Sequence, residues 1–112
     1  MKVLVFYSDN SEACRQLQNR LEFMFDTHPQ TNAFVEYVGI EDYPEDAEFY
    51  GIQKTPTVVI IDKAGAATER MVGYNPNLQY EQFIVNAVRH HNDIDAHPQW
   101  KNGNIDRAEI DE

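Results

Sequence analysis

Two strand-like runs constrain the fold of this 112-residue chain more than any other feature. Residues 3–7 form a continuous apolar run with β-branched and aromatic side chains, which is the pattern of a strand buried on both faces of a helix-covered sheet. Residues 56–61 are the run richest in β-branched side chains, which favour strands. The two runs therefore predict an α/β protein.

The segments around these runs predict the element order βαβαββα. The first strand is followed by the apolar stripe of an amphipathic helix, formed by Cys14, Leu17, Leu21 and Met24. The remaining elements are a strand at 34–38, a short helix between Asp42 and Gly51, strands at 56–61 and about 68–72, and a last helix that ends near residue 91. Two parallel strands joined by a helix, followed by a hairpin, give a central mixed sheet flanked by helices.

The length of the chain predicts one folded domain, which we assign to residues 1–91. Residues 92–112 contain six acids, two bases and few apolar residues, and they show no helical stripe. We interpret this segment as an acidic polar tail that is either mobile or loosely docked through Trp100.

The charge of the chain limits its partners. Nineteen acidic side chains against nine basic ones give a net charge of −10, which repels phosphate backbones and anionic lipids. We therefore expect neither a nucleic acid nor a membrane as partner, and no apolar run is long enough to cross a bilayer. The only cysteine is Cys14, which excludes an internal disulfide, and a strand begins almost at once with no signal segment before it. These features predict a cytoplasmic location and leave the oligomeric state open.

No metal site and no cofactor are predicted. Residues 102–109 have the spacing of the second half of an EF-hand loop, but Pro98 and Trp100 stand where the first two acidic ligands belong. We expect His90 and His91, near the end of the last helix, to interact with its carbonyl groups rather than with a metal.

Two short segments stand where predicted strands begin or end. Ser11 follows the first strand as a candidate helix N-cap, and Cys14 comes one turn later. Thr55 and Pro56 directly precede the strand that is richest in β-branched residues. Cys14 also lies on the apolar stripe of its helix, so two alternatives stay open: a buried core residue, or a reactive thiol near a helix N-terminus.

With these segments the chain resembles the thioredoxin-like superfamily, in the short form that begins at the strand leading into the active site. The resemblance covers about residues 2–91 and is most specific at residues 50–58. It implies that Ser11 stands at the position of the family's nucleophilic cysteine and Cys14 at the position of the second cysteine.

The resemblance further implies a binding groove beside a cis peptide between Thr55 and Pro56, an isomer that proline tolerates at small cost. In the family, the residue before this proline exposes backbone groups that pair with an extended substrate, which is a form of β-augmentation. The expected partner is a protein or a thiol compound. The groove would include Pro56 and four side chains that we expect to be exposed: Tyr7, Asn10, Thr55 and Tyr74.

The chain also departs from the family pattern at its active site. The departures are Ser11 for the nucleophilic cysteine, Asn10 for an aromatic residue, Glu12 and Ala13 for Gly-Pro, and Val5 for a buried aspartate. Thiol–disulfide exchange needs an attacking thiolate and a second thiol that resolves the mixed disulfide. The sequence therefore predicts a degenerate redox site that binds a partner, with at most monothiol chemistry through Cys14. The alternative is a genuine thiol–disulfide oxidoreductase in which Ser11 replaces the nucleophilic cysteine.

Overall fold

A computed structural model of the chain describes the backbone of residues 1–96 and the side chains of residues 1–91. The strands are β1 (Lys2–Tyr7), β2 (Val35–Gly39), β3 (Thr57–Ile61) and β4 (Ala67–Val72). The α-helices are α1 (Glu12–Thr27), α2 (Pro44–Phe49) and α3 (Tyr80–Ala96), and a 3-10 turn spans Pro29–Thr31. Trp100 and the segment that resembles half an EF-hand loop lie outside the described residues.

The four strands form one mixed sheet in the order β2-β1-β3-β4. β1 is parallel to β2, whereas β3 is antiparallel to both of its neighbours. Helices flank the sheet, and the elements follow the order βαβαββα. The predicted α/β fold is therefore confirmed.

The strand register brings several chain reversals to one edge of the sheet. Tyr7 pairs with Gly39, and Phe6 pairs with Thr57. Thr57 in turn pairs with Val72 on its other side. The carboxyl ends of β1, β2 and β4 therefore meet the amino end of β3. We call this place the site edge, and we define it by the segments 8–14, 40–42, 54–56 and 73–75.

Alternate residues of β1 face two separate cores, which explains its continuous apolar sequence. Val3 and Val5 pack with residues of α1 and α3 on one face of the sheet. Leu4 and Phe6 pack with Ala47 of α2 on the other face. All four residues of the stripe predicted on α1 are buried, which confirms that amphipathic helix.

The last helix follows a turn and extends beyond its predicted end. Residues 75–78 form a turn, so α3 starts only at Tyr80. At its other end α3 continues through residues 92–96, which the sequence had assigned to the polar tail. These five residues contain neither Gly nor Pro, so none of them disfavours helical backbone strongly. The change in composition at residue 92 therefore does not end the helix.

Candidate functional site

Ser11 and Cys14 lie at the start of α1, at the site edge. The Ser11 hydroxyl oxygen accepts a hydrogen bond from the Cys14 backbone N–H at 3.2 Å, which makes Ser11 the N-cap of the helix. Cys14 is only 2% exposed. Its sulfur accepts a hydrogen bond from the Ser8 backbone N–H at 3.4 Å. Ser11 thus stabilises the helix end, and Cys14 is a buried thiol, in line with the core alternative.

Ser11 lacks the neighbouring base that a serine nucleophile needs. Within residues 1–91 its hydroxyl makes one hydrogen bond, and that bond comes from a backbone N–H. The nearby carboxylate of Glu12 is mostly exposed and pairs with Arg15 along the helix. Hydrogen bonding from Arg15 and Gln16 holds the pKa of Glu12 below its ordinary value. Glu12 is therefore an ionised surface carboxylate with partners of its own.

Glu41 links two loops of the site edge. Its carboxylate accepts hydrogen bonds from the Ser8 hydroxyl at 2.5 Å and from the Asp9 backbone N–H at 3.4 Å. The hydrogen bond from Ser8 is the main reason why the pKa of Glu41 lies below its ordinary value. The loop between β1 and α1 is thereby fastened to the loop between β2 and α2.

The loops before β3 and after β4 form a second linked pair. The Thr55–Pro56 peptide bond is cis, and the carbonyl oxygen of Pro56 accepts a hydrogen bond from the Gly73 N–H at 2.7 Å. Gly73 has a φ of +79°, a conformation that glycine adopts without steric cost. A Cβ atom at this glycine would lie 3.5 Å from the aliphatic chain of Lys54. The two loops therefore pack closely at the site edge.

The backbone of Thr55 is free to pair. Within the described part of the chain, neither its N–H nor its carbonyl takes part in a backbone hydrogen bond. Its neighbours on both sides are engaged, since the Lys54 carbonyl accepts the Thr57 hydroxyl and the Pro56 carbonyl accepts Gly73. Thr55 therefore presents an unpaired backbone N–H and carbonyl group at the site edge, between two residues that are held in place.

Tyr7 packs sideways against β2 instead of standing free. Its ring meets the ring of Tyr37 edge-on, with centroids 6.4 Å apart. A Cβ atom at Gly39 would come within 3.0 Å of the Tyr7 hydroxyl oxygen, so glycine there leaves the space that the Tyr7 ring uses. Burial raises the pKa of Tyr37 to about 12. Tyr7 is therefore a partly buried member of an aromatic cluster on the α1 side of the sheet.

Tyr74 is held in place by residues behind the site edge. Its ring stacks on Tyr80, with centroids 5.6 Å apart, and the Arg20 guanidinium lies 6.0 Å from its centroid. Tyr80 is fully buried; its hydroxyl donates to the Gly73 carbonyl and accepts the Asn75 N–H, both at 2.9 Å. The loop that follows β4 is thereby fixed on α1 and α3.

Arg20 of α1 connects this loop to α3. It forms a bidentate ion pair with Glu81, at 2.6 and 2.8 Å, and donates to the Leu78 carbonyl at 2.9 Å. The hydrogen bonds with Arg20 lower the pKa of Glu81, and those with Glu81 raise the pKa of Arg20. Both side chains are partly buried, so the pair is shielded from solvent more than a surface ion pair.

The expected exposure of the binding residues is correct only for Asn10. Tyr7, Thr55 and Tyr74 are partly buried. The Tyr7 ring packs against Tyr37, and the Tyr74 ring packs against Tyr80. Pro56 is buried at the start of β3. Asn10, Thr55, Pro56 and Tyr74 belong to the segments of the site edge, but their part in binding stays a prediction.

Sequence reasoning missed Glu41 and Arg20. A signal for Glu41 was present, because it comes two residues after the end of β2, and the ends of parallel neighbouring strands meet at one edge of a sheet. No comparable signal marked Arg20, whose partner Glu81 is 61 positions away. Residues that support a site from another helix are set by tertiary packing.

The described residues show no other obvious chemistry. Among them, no group of three or more His, Cys, Asp or Glu side chains is placed to hold a metal ion. None of the helices in residues 1–96 has both the length and the apolar character of a membrane span. The site edge is therefore the place to which function is assigned below.

Comparison with known proteins supports the same fold. A family model described as a thioredoxin-like domain matches residues 1–87. An SPbeta prophage-derived thioredoxin-like protein of Bacillus subtilis is 27% identical over 77 residues, which cover 69% of this chain and 88% of that protein.

Solved structures agree with this match. Thioredoxin 1 of Thermosipho africanus aligns with a TM-score of 0.62 and 18% identity, over 87% of this chain and 100% of that one. A thioredoxin-fold protein from Helicobacter pylori aligns with a TM-score of 0.65 and 20% identity, over 80% of this chain and 70% of that one. At these identities the solved structures show a shared fold.

Proposed function

Since the chain belongs to the thioredoxin-like family, we propose that it is a binding protein built on that fold, whose site edge takes up an extended polypeptide or a thiol compound beside Thr55 and Pro56. Its redox site is degenerate in this proposal. The observation that carries the proposal is the pair formed by Ser11, a helix cap at the position of the attacking thiol, and Cys14, a thiol that is 2% exposed.

The chemistry available to one thiol is limited. Dithiol exchange needs a second thiol to resolve the mixed disulfide, and the chain contains one cysteine. Cys14 could at most attack one sulfur of a partner's disulfide, release the other sulfur as a thiol, and stay bound in a mixed disulfide. Even this step requires the first turn of α1 to open, because the sulfur is buried and hydrogen-bonded to Ser8.

The unpaired backbone of Thr55 supports the binding part of the proposal. An extended peptide that runs along this residue would supply the missing backbone partners, as in β-augmentation. Asn10 is exposed and belongs to the same edge, so its amide is available to a bound chain. The partner that we propose is accordingly an extended polypeptide segment or a small thiol.

The proposal also includes a location. A lone buried thiol needs no oxidising environment, and we place the protein in the cytoplasm. Its net charge of −10 disfavours nucleic acid and anionic membranes as partners.

Two measurements test the proposal. In an insulin-reduction assay with dithiothreitol we expect no turnover above the background rate, and appreciable turnover would refute the degenerate site.

In amide-detected NMR titrations with S-alkylated insulin B chain and with reduced glutathione, at least one ligand should shift signals of residues 8–14, 54–57 and 73–75. Asn10→Ala should weaken this binding, whereas Asn19→Ala, an exposed asparagine on α1 away from the site edge, should not. Shifts confined to other surfaces would contradict the assigned site.

A thiol–disulfide oxidoreductase with cysteine at position 11 is the second candidate function. It is favoured by the position of Ser11, since a thiol at a helix N-terminus has a lowered pKa. The variant Ser11→Cys decides between the two. Our proposal predicts weak insulin reduction, because Val5 replaces the family's buried aspartate and Glu12-Ala13 replaces Gly-Pro. Turnover by this variant at the rate of a thioredoxin would favour the oxidoreductase.

A further inference from the structure

A second concave surface lies at the end of the sheet opposite the site edge. It is a groove of about 810 Å³ between α3 and the β3–β4 hairpin. Its apolar lining comes from Met1 and β3 on one side and from the helix on the other: Met1, Ile60, Ile61, Phe83 and Ala87. The volume falls within the range of about 300–1,000 Å³ that is typical of ligand clefts, so the groove holds more than one side chain.

One wall of the groove is formed by α3, the helix that directly precedes residues 97–112 in the sequence. His90 and His91 line the groove, and the helix continues to Ala96. Residues 97–112 come next in the sequence and include Trp100, Ile105 and Ile110 among mainly polar neighbours. Trp100 is the largest apolar side chain of this segment, and its chemistry matches that of the groove because a Trp ring buries a large apolar area.

The distances permit this segment to turn back into the groove. At about 1.5 Å per residue, the helix carries the chain roughly 7.5 Å beyond His91. Four residues of extended chain from Ala96 to Trp100 then span up to about 13 Å. Proline disfavours helical backbone at the residue before it, so the presence of Pro98 in this stretch is compatible with such a return.

A tethered segment also has an advantage over a free partner. Because it is joined to the groove by a short linker, its effective concentration is on the order of millimolar. The groove lining carries two carboxylates, Asp62 and Glu69, against one lysine, Lys63. This excess of acidic groups favours the basic Lys101, which follows Trp100 directly. A separate molecule would have to compete with a segment that is always present.

From these observations we propose that the segment after α3 docks in this groove through Trp100. The groove is thereby an intramolecular surface, and the site edge at the other end of the sheet stays free for a partner.

The single tryptophan of the chain makes a direct test possible. In the full chain, Trp100 emission should be blue-shifted and its acrylamide quenching several-fold weaker than in urea. Ala87→Glu and Asn86→Glu place a carboxylate on the groove wall and should return both readouts toward their unfolded values. Asn19→Glu puts the same residue on α1, outside the groove, and should change neither.

The controls separate the possible outcomes. Far-UV circular dichroism establishes that each variant is folded; if Ala87→Glu does not fold, the exposed position Asn86 still decides the question. Native emission equal to that of the unfolded chain, or emission unaffected by a folded groove variant, would overturn the proposal. A blue shift that is lost on dilution would also overturn it, because the occupant would then be a second copy of the chain.

Discussion

Replacing Arg20 by alanine should destabilise the protein more than the loss of any ordinary surface ion pair. The variant loses the bidentate pair with Glu81 and the hydrogen bond to the Leu78 carbonyl. It also loses the guanidinium that lies 5.2 Å from the centroid of the Tyr80 ring. Glu81 is left partly buried without its cation.

The magnitude follows from the degree of burial. Exposed ion pairs contribute about 0–1 kcal/mol, and removal of one partner from a buried pair costs about 3–5 kcal/mol. The side chains of Arg20 and Glu81 are 24% and 29% exposed, so the pair lies between these limits. We expect Arg20→Ala to lower the free energy of unfolding by about 2–3 kcal/mol, a value that includes the cation–π contact of roughly 0.5–1 kcal/mol.

Urea denaturation followed by circular dichroism measures this effect. With an m value of roughly 1–3 kcal/mol per M, the urea midpoint should fall by roughly 0.7–3 M. Arg15→Ala is the matched control, because Arg15 pairs with Glu12 on the same helix while both side chains are mostly exposed; its midpoint should be nearly unchanged. Equal midpoints for the two variants would refute the role assigned to Arg20.

Three further predictions concern the same supports. Glu81→Gln should destabilise the protein at neutral pH, and this difference from the wild type should disappear as the pH falls below 4.5. The pKa of Glu81 is depressed in the folded state, so the stability it contributes is present above its ordinary pKa and is lost as the carboxylate is protonated. A difference in stability that does not depend on pH would contradict this. Ser11→Ala should cost about 1 kcal/mol in urea unfolding through loss of the helix cap, and Ser11→Asp should restore most of it. Tyr80→Phe should cost about 1–3 kcal/mol, because the Gly73 carbonyl and the Asn75 N–H both lose their buried partner; a neutral effect on the melting temperature would show that water replaces the hydroxyl.

The parts of the fold that depend on local pattern were predictable from the sequence. The stripe on α1 has the helical period, and its four residues are buried as expected, Cys14 among them. The end of β1 at Tyr7 agrees with the prediction because turn-forming residues follow the apolar run at once. The helical spacing of apolar residues predicts which side chains are buried, so the sequence already indicated a core position for Cys14.

The parts that depend on distant residues were not predictable. Tyr7 is partly buried because Gly39, on a neighbouring strand, leaves room for its ring. Tyr74 is held by Arg20 and Tyr80, which come from two different helices. A side chain's exposure at the end of a strand is decided by the loops that meet there, and one sequence does not specify how those loops contact each other.

The rate at which a thiol reagent modifies Cys14 tests the central claim most directly. If Cys14 is a core residue under a helix cap, labelling of the folded protein should be slow and should rise with urea in proportion to the unfolded fraction. Ser11→Ala, which weakens the cap, should accelerate labelling without urea. Rapid modification of the folded wild-type protein, at the rate of a free cysteine, would contradict the account and return Cys14 to the role of a reactive thiol.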